Sequence, residues 1–175
     1  MNSKTYLKRL MVDRKRYAEL NHEELGIYCN FSDDNMMNVK AMIIGPNDTP
    51  YEGGFYFFDI NFTSQYPMQP PKVQFCTLNP YVRFNPNLYK CGKVCLSVLN
   101  TWSGPGWTSC MTLTTLLNSV QTLLNENPIN NEPGYERYTK NNSKSQEYNL
   151  YINYQNVRFA FIEMMNKPPY GFDEF

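Results

Sequence analysis

Three short runs rich in β-branched and aromatic residues stand near the front of the chain: LGIYCNF at 25–31, NVKAMII at 38–44 and FYFFDINF at 55–62. In the third run Tyr56, Phe58, Ile60 and Phe62 alternate with Phe55, Phe57, Asp59 and Asn61, which is the period of a strand with two unlike faces. Turn residues crowd the connection GPNDTPYEGG. Connections this short favour an antiparallel meander over a parallel sheet with crossover helices. In YPMQPPKVQF the prolines bar a helix, and the chain then extends into a fourth strand.

Helical spacing occupies the two ends. Over residues 4–20, Leu7, Leu10, Met11, Tyr17 and Leu20 fall near one stripe, while Lys8, Arg9, Arg14, Lys15 and Arg16 largely fall elsewhere. The result is an amphipathic helix with a basic outer side, either a solvated face or a docking surface for an acidic partner. A second helix, 112–127, carries Leu113, Leu116, Leu117, Val120, Leu123 and Leu124, with Asn127-Pro128 ending it. A last helix runs from about Ser143 to Asn166 with Tyr148, Tyr151, Ile152, Val157, Phe161 and Met164 inward. Between the sheet and the second helix, residues 78–111 show little periodicity and hold Pro80, Pro86, Gly92, Gly104, Pro105 and Gly106. A loop of that length inside a compact domain is usually functional. The order of helix, meander, long loop and two helices is α+β. It predicts one core domain over 1–166 and a short C-terminal tail over 167–175, the tail partly mobile.

Composition narrows the function classes. Sixteen basic and sixteen acidic residues leave zero net charge, which argues against a general binder of nucleic acid or anionic membranes. No apolar run approaches the roughly 20 residues of a membrane span, and the N-terminal stretch lacks the apolar core of a secretory signal. The five cysteines are odd in number and fit no disulfide framework, so a reducing compartment, cytoplasm or nucleus, is expected. A zinc site needs four clustered ligands. The only histidine, His22, lies far from the cysteines in sequence, and no metal is expected.

The stretch FNPNLYKCGKVCLSVLNTW, residues 84–102, holds Cys91 and Cys95 but no histidine, aspartate or glutamate. A cysteine on a glycine-punctuated loop is either a presented nucleophile or a small buried hydrophobe. His22 is the sole candidate for a protease-type base. An isolated thiol with a pKa near ~8.5 is only a few per cent thiolate at neutral pH, too little for amide cleavage. It suffices for exchange between thiols and thioesters, where the leaving group is itself good. The pattern suits an acyl carrier better than a hydrolase.

This stretch resembles the active-site flap of ubiquitin-conjugating enzymes. That family carries a His-Pro-Asn motif with a catalytic cysteine eight residues after its asparagine. Here Asn85, Pro86 and Asn87 fill the motif, and Cys95 stands eight beyond Asn87. GPNDTPYEGG, YPMQPPKVQF and Trp107 are further family marks. VRFNPNLYKCGKVCLSVLNTWSGPGW and LLNENPINNEPGYE are similar to the Z subfamily, which also has Asn-Pro-Asn.

The resemblance implies a ubiquitin-conjugating fold: an N-terminal helix, a four-stranded antiparallel meander, a long active-site flap, a central helix and a C-terminal helix. It implies that Cys95 forms a thioester with ubiquitin or a ubiquitin-like modifier delivered by an activating enzyme. The modifier would then pass to lysines of protein substrates, usually with a ligase. A non-catalytic variant that only binds ubiquitin or a partner is the alternative, and the cysteine argues against it. Asn87 is implied to steady the oxyanion or to hold the loop that does so; Asn85 and Pro86 shape the flap. Ser97 stands where many relatives carry aspartate, and Asn131 or Glu132 stands near a second position that is aspartate or serine in the family, so these three are the candidates for orienting the acceptor lysine. Met68, Ser109 and Cys110 match positions that ligases grip, and Lys8 and Arg9 match the basic first helix that activating enzymes and ligases contact. The resemblance implies no role for Cys91, which reads as a bystander thiol able to act as an oxidation partner for Cys95. No cofactor is expected, ATP being used by the upstream enzyme; the expected state is a monomer.

Overall fold

The computed structural model describes residues 4–32 and 34–175. Strands β1 (Ile27–Phe31), β2 (Asn38–Ile44), β3 (Phe55–Asn61) and β4 (Lys72–Phe75) pair antiparallel in chain order, the expected meander. The register sets Val39 opposite Ile60, Ala41 opposite Phe58 and Ile43 opposite Tyr56, while Phe58 faces Phe75 across the next pair. Because strand side chains alternate, this register gathers every one of those residues on a single buried face. Helices α1 (Lys4–Ala18) and α3 (Leu113–Gln121) share the core with that face: Leu10, Tyr17, Leu113, Leu116, Leu117 and Val120 are all buried in it. A one-turn helix, α2 (His22–Leu25), leads from α1 into the sheet and closes on Gly26 in the left-handed region.

Four details depart from the periodic reading. In α1, Met11 points outward at 60% exposure, and Asp13 is the buried neighbour. Asp13 accepts hydrogen bonds from Arg9 Nε at 3.1 Å and from the Tyr66 hydroxyl, so a paired charge has displaced an apolar residue from the inner stripe. The second helix stops at Gln121, six residues before Asn127. Past that point Asn125 Nδ2 bonds the Thr122 carbonyl, and Asn85 Nδ2 takes the Leu123 carbonyl at 2.7 Å. Side chains thus satisfy acceptors that a further helical turn would have used.

The last helix comprises α4 (Ser143–Gln155), a π-helical stretch (Asn156–Glu163) and α5 (Met164–Asn166). Its buried positions are Ser145 near the start and then Ile152, Asn156, Ala160 and Met164, these last four spaced four residues apart, whereas Tyr151, Val157 and Phe161 are exposed. Wider π turns hold a four-residue stripe on one face, where α-helical spacing had brought Val157 and Phe161 inward. Asn156 fixes the register: it accepts from the Tyr56 hydroxyl and donates to the Glu52 carbonyl at 2.9 Å.

The tail is folded back on the outer face of the sheet rather than left loose. Phe172 is 1% exposed and packs on Phe57 with ring centroids 4.9 Å apart. Lys40 Nζ lies 5.0 Å from the Phe172 ring centre, and Asn30 bonds Glu174. The outward side of β3 therefore has its own small core, Phe57, Met164 and Phe172.

Candidate active site

Between β4 and α3 the chain forms a long flap pinned at several points. Phe75 N–H donates to the Gly92 carbonyl at 2.8 Å, and Lys93 bridges to Gln74, so the flap borrows the free edge of β4. A tight turn closes over Tyr89–Lys93, with Tyr89 N–H on the Lys93 carbonyl at 2.9 Å. Leu88 bridges both Asn85 and Val94, and is wholly buried. Cys91 is exposed on this turn and Cys95 is buried at 2% exposure; both are free thiols.

Asn87 and Cys95 are bonded in both directions. Cys95 N–H donates to the Asn87 carbonyl at 2.9 Å, and Asn87 Nδ2 donates to the Cys95 carbonyl at 2.6 Å. An amide nitrogen carries two hydrogens, and Cys95 O takes one. Asn87 Oδ1 is buried with no partner. This unused donor and acceptor are the polar capacity that the motif asparagine keeps beside the cysteine.

Asn85 anchors the motif. Its Nδ2 donates to Leu123 O at 2.7 Å and to the Tyr51 hydroxyl at 2.9 Å. Its Oδ1 accepts from Asn87 N–H at 2.9 Å and from Asn131 Nδ2 at 3.3 Å. Tyr51 in turn donates to the Phe84 carbonyl at 2.9 Å. The Asn85 carboxamide therefore ties the flap to the end of α3 and to the β2–β3 loop. Burial pushes the Tyr51 phenol well up, so it stays a donor at any working pH. Gly45 admits Tyr51 into this place, since a Cβ there would lie 1.7 Å from the Tyr51 carbonyl oxygen.

On the other side of the cysteine, Thr101 Oγ1 donates to Val94 O at 2.8 Å and accepts from Leu96 N–H at 3.0 Å. One hydroxyl clamps both neighbours of Cys95. Ser97 opens a short 3-10 turn, Ser97–Leu99, and the longer loop folds over it: a Cβ on Gly104 would stand 3.1 Å from Ser97 Cβ.

The acceptor-side candidates separate. Asn131 turns inward to Asn85, while Glu132 pairs with Arg83 at 3.6 Å and lines a cleft with Pro86. The three proposed docking segments converge. Arg9 Nη1 donates to Ser109 O at 2.8 Å, its Nη2 bonds Met111 O, and Trp107 Nε1 donates to Pro67 O at 2.7 Å. Lys8, Met68, Ser109 and Cys110 are exposed around these braces, whereas Arg9 is engaged by Asp13 and the 109–111 backbone. His22 stacks on Tyr17 at 4.1 Å, in the α1–β1 corner. Tyr51, Thr101 and Arg83 are the residues that sequence reasoning missed. Only Tyr51 left a signal, as the lone aromatic among turn residues. Among the described residues no group of three or more His, Cys, Asp or Glu side chains could hold a metal ion, and no helix is long and apolar enough to cross a membrane.

The family model described as ubiquitin-conjugating enzyme matches residues 9–156. Ubiquitin-conjugating enzyme E2 Z of Xenopus tropicalis and that of Homo sapiens are each 46% identical over 132 residues, 75% of this chain and 42% and 37% of the relatives. Probable ubiquitin-conjugating enzyme E2 25 of Arabidopsis thaliana is 39% identical over 184 aligned positions, 99% of this chain and 29% of the relative. The chain thus spans well under half the length of these relatives. With the α+β meander, the Asn-Pro-Asn flap and a family match running from α1 into the last helix, this chain belongs to the ubiquitin-conjugating enzyme family.

Proposed function

We propose that Cys95 carries ubiquitin, or a ubiquitin-like modifier, as a thioester. The observation that supports this most is the two-way bonding of Asn87 and Cys95 on a flap anchored through Asn85. In the loading step the Cys95 thiolate attacks the thioester carbonyl presented by the activating enzyme. A new C–S bond forms and the activating enzyme's thiolate leaves. In the discharge step a substrate lysine amine attacks the Cys95 thioester. The isopeptide C–N bond forms, the C–S bond breaks with its electron pair on Cys95, and the nitrogen loses a proton to solvent or to a nearby base. Neither step needs a cofactor on this chain.

Asn87 offers its second Nδ2 hydrogen to the oxyanion of each step, an interaction worth about 3–4 kcal/mol for an oriented amide donor. Ser97, Asn131 and Glu132 remain the acceptor-side candidates; Asn131 acts through Asn85, and Glu132 through the cleft beside Pro86. Lys8, Met68, Ser109 and Cys110 form the face for the activating enzyme and a ligase, with Arg9 bracing it. Protein substrates, a reducing cytoplasm or nucleus, and a monomer that binds neither nucleic acid nor membrane complete the reading.

The test is a loading assay with activating enzyme, ATP and ubiquitin or another modifier, read on a non-reducing gel. A thiol-sensitive adduct should form, persist in Cys91→Ala and vanish in Cys95→Ala, while Cys95→Ser should give a thiol-resistant ester. No adduct with any modifier would leave the non-catalytic binding reading in its place.

A further inference from the structure

The last helix is apolar on its outer side as well as on its inner one. Its inner row, Ile152, Asn156, Ala160 and Met164, repeats every four residues, so other positions four apart line up in straight rows beside it. Leu150, Tyr154, Arg158 and Ile162 make one row, and Asn153, Val157, Phe161 and Met165 make the next. The six apolar members of these rows are between 40% and 73% exposed. Seven of the sixteen exposed large hydrophobic side chains among the described residues stand on this helix, which makes a continuous strip and not single scattered residues. A helix that is apolar on opposite sides is normally covered on both. Phe161 stacks on Phe55 with ring centroids 5.6 Å apart, which fixes the strip against the sheet. Arg158 is the one charge within the two rows. Its guanidinium lies 4.9 Å from the Phe159 ring centre, and no carboxylate of the described residues pairs with it. The helix's two carboxylates, Glu147 and Glu163, fall in the row of Tyr151, on the flank that borders the cleft beside Pro86.

We propose that this strip docks an amphipathic helix of a partner protein, with an acidic side chain of that helix set against Arg158. The last helix satisfies its own backbone, so this face offers a partner side chains only. An extended segment laid on it would bury N–H and C=O groups with nothing to pair them. A partner helix brings no such groups, and the groove between two straight rows accepts its ridge of side chains. Charge then selects among the helices that fit. Arg158 stands near the midpoint between Leu150 and Met165. A two-fold pairing of two copies of the chain would set Arg158 against its own copy, and like charges oppose that arrangement. A carboxylate on a partner helix meets it favourably instead. A helix built to lie on a membrane carries several cations beside its apolar face, and this strip has one. The inference goes beyond the reading of Cys95 as the thioester site and does not depend on it.

The test is fluorescence anisotropy at low salt with two labelled helical peptides of about 20 residues, bearing leucines at i, i+3, i+4 and i+7 spacing. The two are identical but for a central glutamate or lysine. The glutamate peptide should bind saturably and about fivefold more tightly than the lysine peptide, with the ratio falling toward one as salt screens the pair. Arg158→Glu should reverse the order of the two peptides. Ile162→Asp should abolish the binding of both. The two positions are exposed, and an unchanged urea midpoint ties each effect to the surface. Where Ile162→Asp shifts that midpoint, the reversal in Arg158→Glu decides alone. No saturable binding of either peptide, equal affinities, or an order unchanged in Arg158→Glu would overturn the proposal. So would a dimer of the chain in sedimentation that Ile162→Asp dissolves, which would assign the strip to a second copy. Binding to phosphatidylserine vesicles that is lost in Ile162→Asp would likewise overturn it, in favour of a membrane.

Discussion

The Asn85 carboxamide, with no exposure to water, makes hydrogen bonds to Leu123 O, Tyr51, Asn87 N–H and Asn131. Replacing it by alanine strands a carbonyl at the end of α3 and an N–H of the motif itself. Each buried group left unpaired costs roughly 1–3 kcal/mol, so Asn85→Ala should lose about 2–4 kcal/mol in urea unfolding. Asn131→Ala, half-buried and bonded at 3.3 Å, should lose under ~1 kcal/mol; equal losses would contradict the anchoring role of Asn85. The thiols give a second test. Burial pushes Cys29 up to about 12 and Cys76 up to about 11, while Cys91 and Cys110 are exposed. Iodoacetamide at about pH 8 reacts with thiolates. Mass spectrometry should find Cys91 and Cys110 alkylated first and Cys29 only on unfolding. Labelling of Cys29 as fast as Cys91 would refute this order.

At the scale of elements, the docked tail is the informative piece. Phe172 seals Phe57 on the outer face of β3, and the end of the last helix delivers it there. Phe→Ala in a core costs about 3–5 kcal/mol, but a terminal segment can undock by itself and so cap the loss. Phe172→Ala should therefore lower global stability by no more than about 3 kcal/mol, while speeding hydrogen exchange at the outer face of β3 and leaving α3 protected. Faster exchange in α3 would mean that the tail supports the whole core. Alternation placed Phe57 opposite the buried set in β3, yet could not say whether water or protein covered that side. Likewise a 3.6-residue period located the last helix but misassigned Val157 and Phe161, because its π turns follow from Asn156 gripping Tyr56 and Glu52, contacts made across the fold.

For the molecule as a whole, buried phenols and thiols predict a response to alkali. Tyr17, Tyr51, Tyr56, Tyr66 and Tyr148 are all raised above 10.0 by burial, and Cys29 and Cys76 above 9.0. Above about pH 9 the unfolded chain releases these protons while the folded chain retains them, so stability falls as pH rises. The urea midpoint should hold steady near neutrality and drop between about pH 9 and 10.5; a constant midpoint would contradict the burial of these groups. The meander, the order of elements, the long flap and the Asn87–Cys95 spacing were determined by the sequence alone. They depend on local alternation, on proline and glycine, and on residues close together in the chain. The tertiary structure alone decided which polar atoms pair: Asn131 with Asn85, Arg9 with the Ser109 and Met111 carbonyls, Glu132 with Arg83. A buried polar group takes whatever partner the packed chain brings within about 3 Å, and most of those partners come from residues far away in sequence.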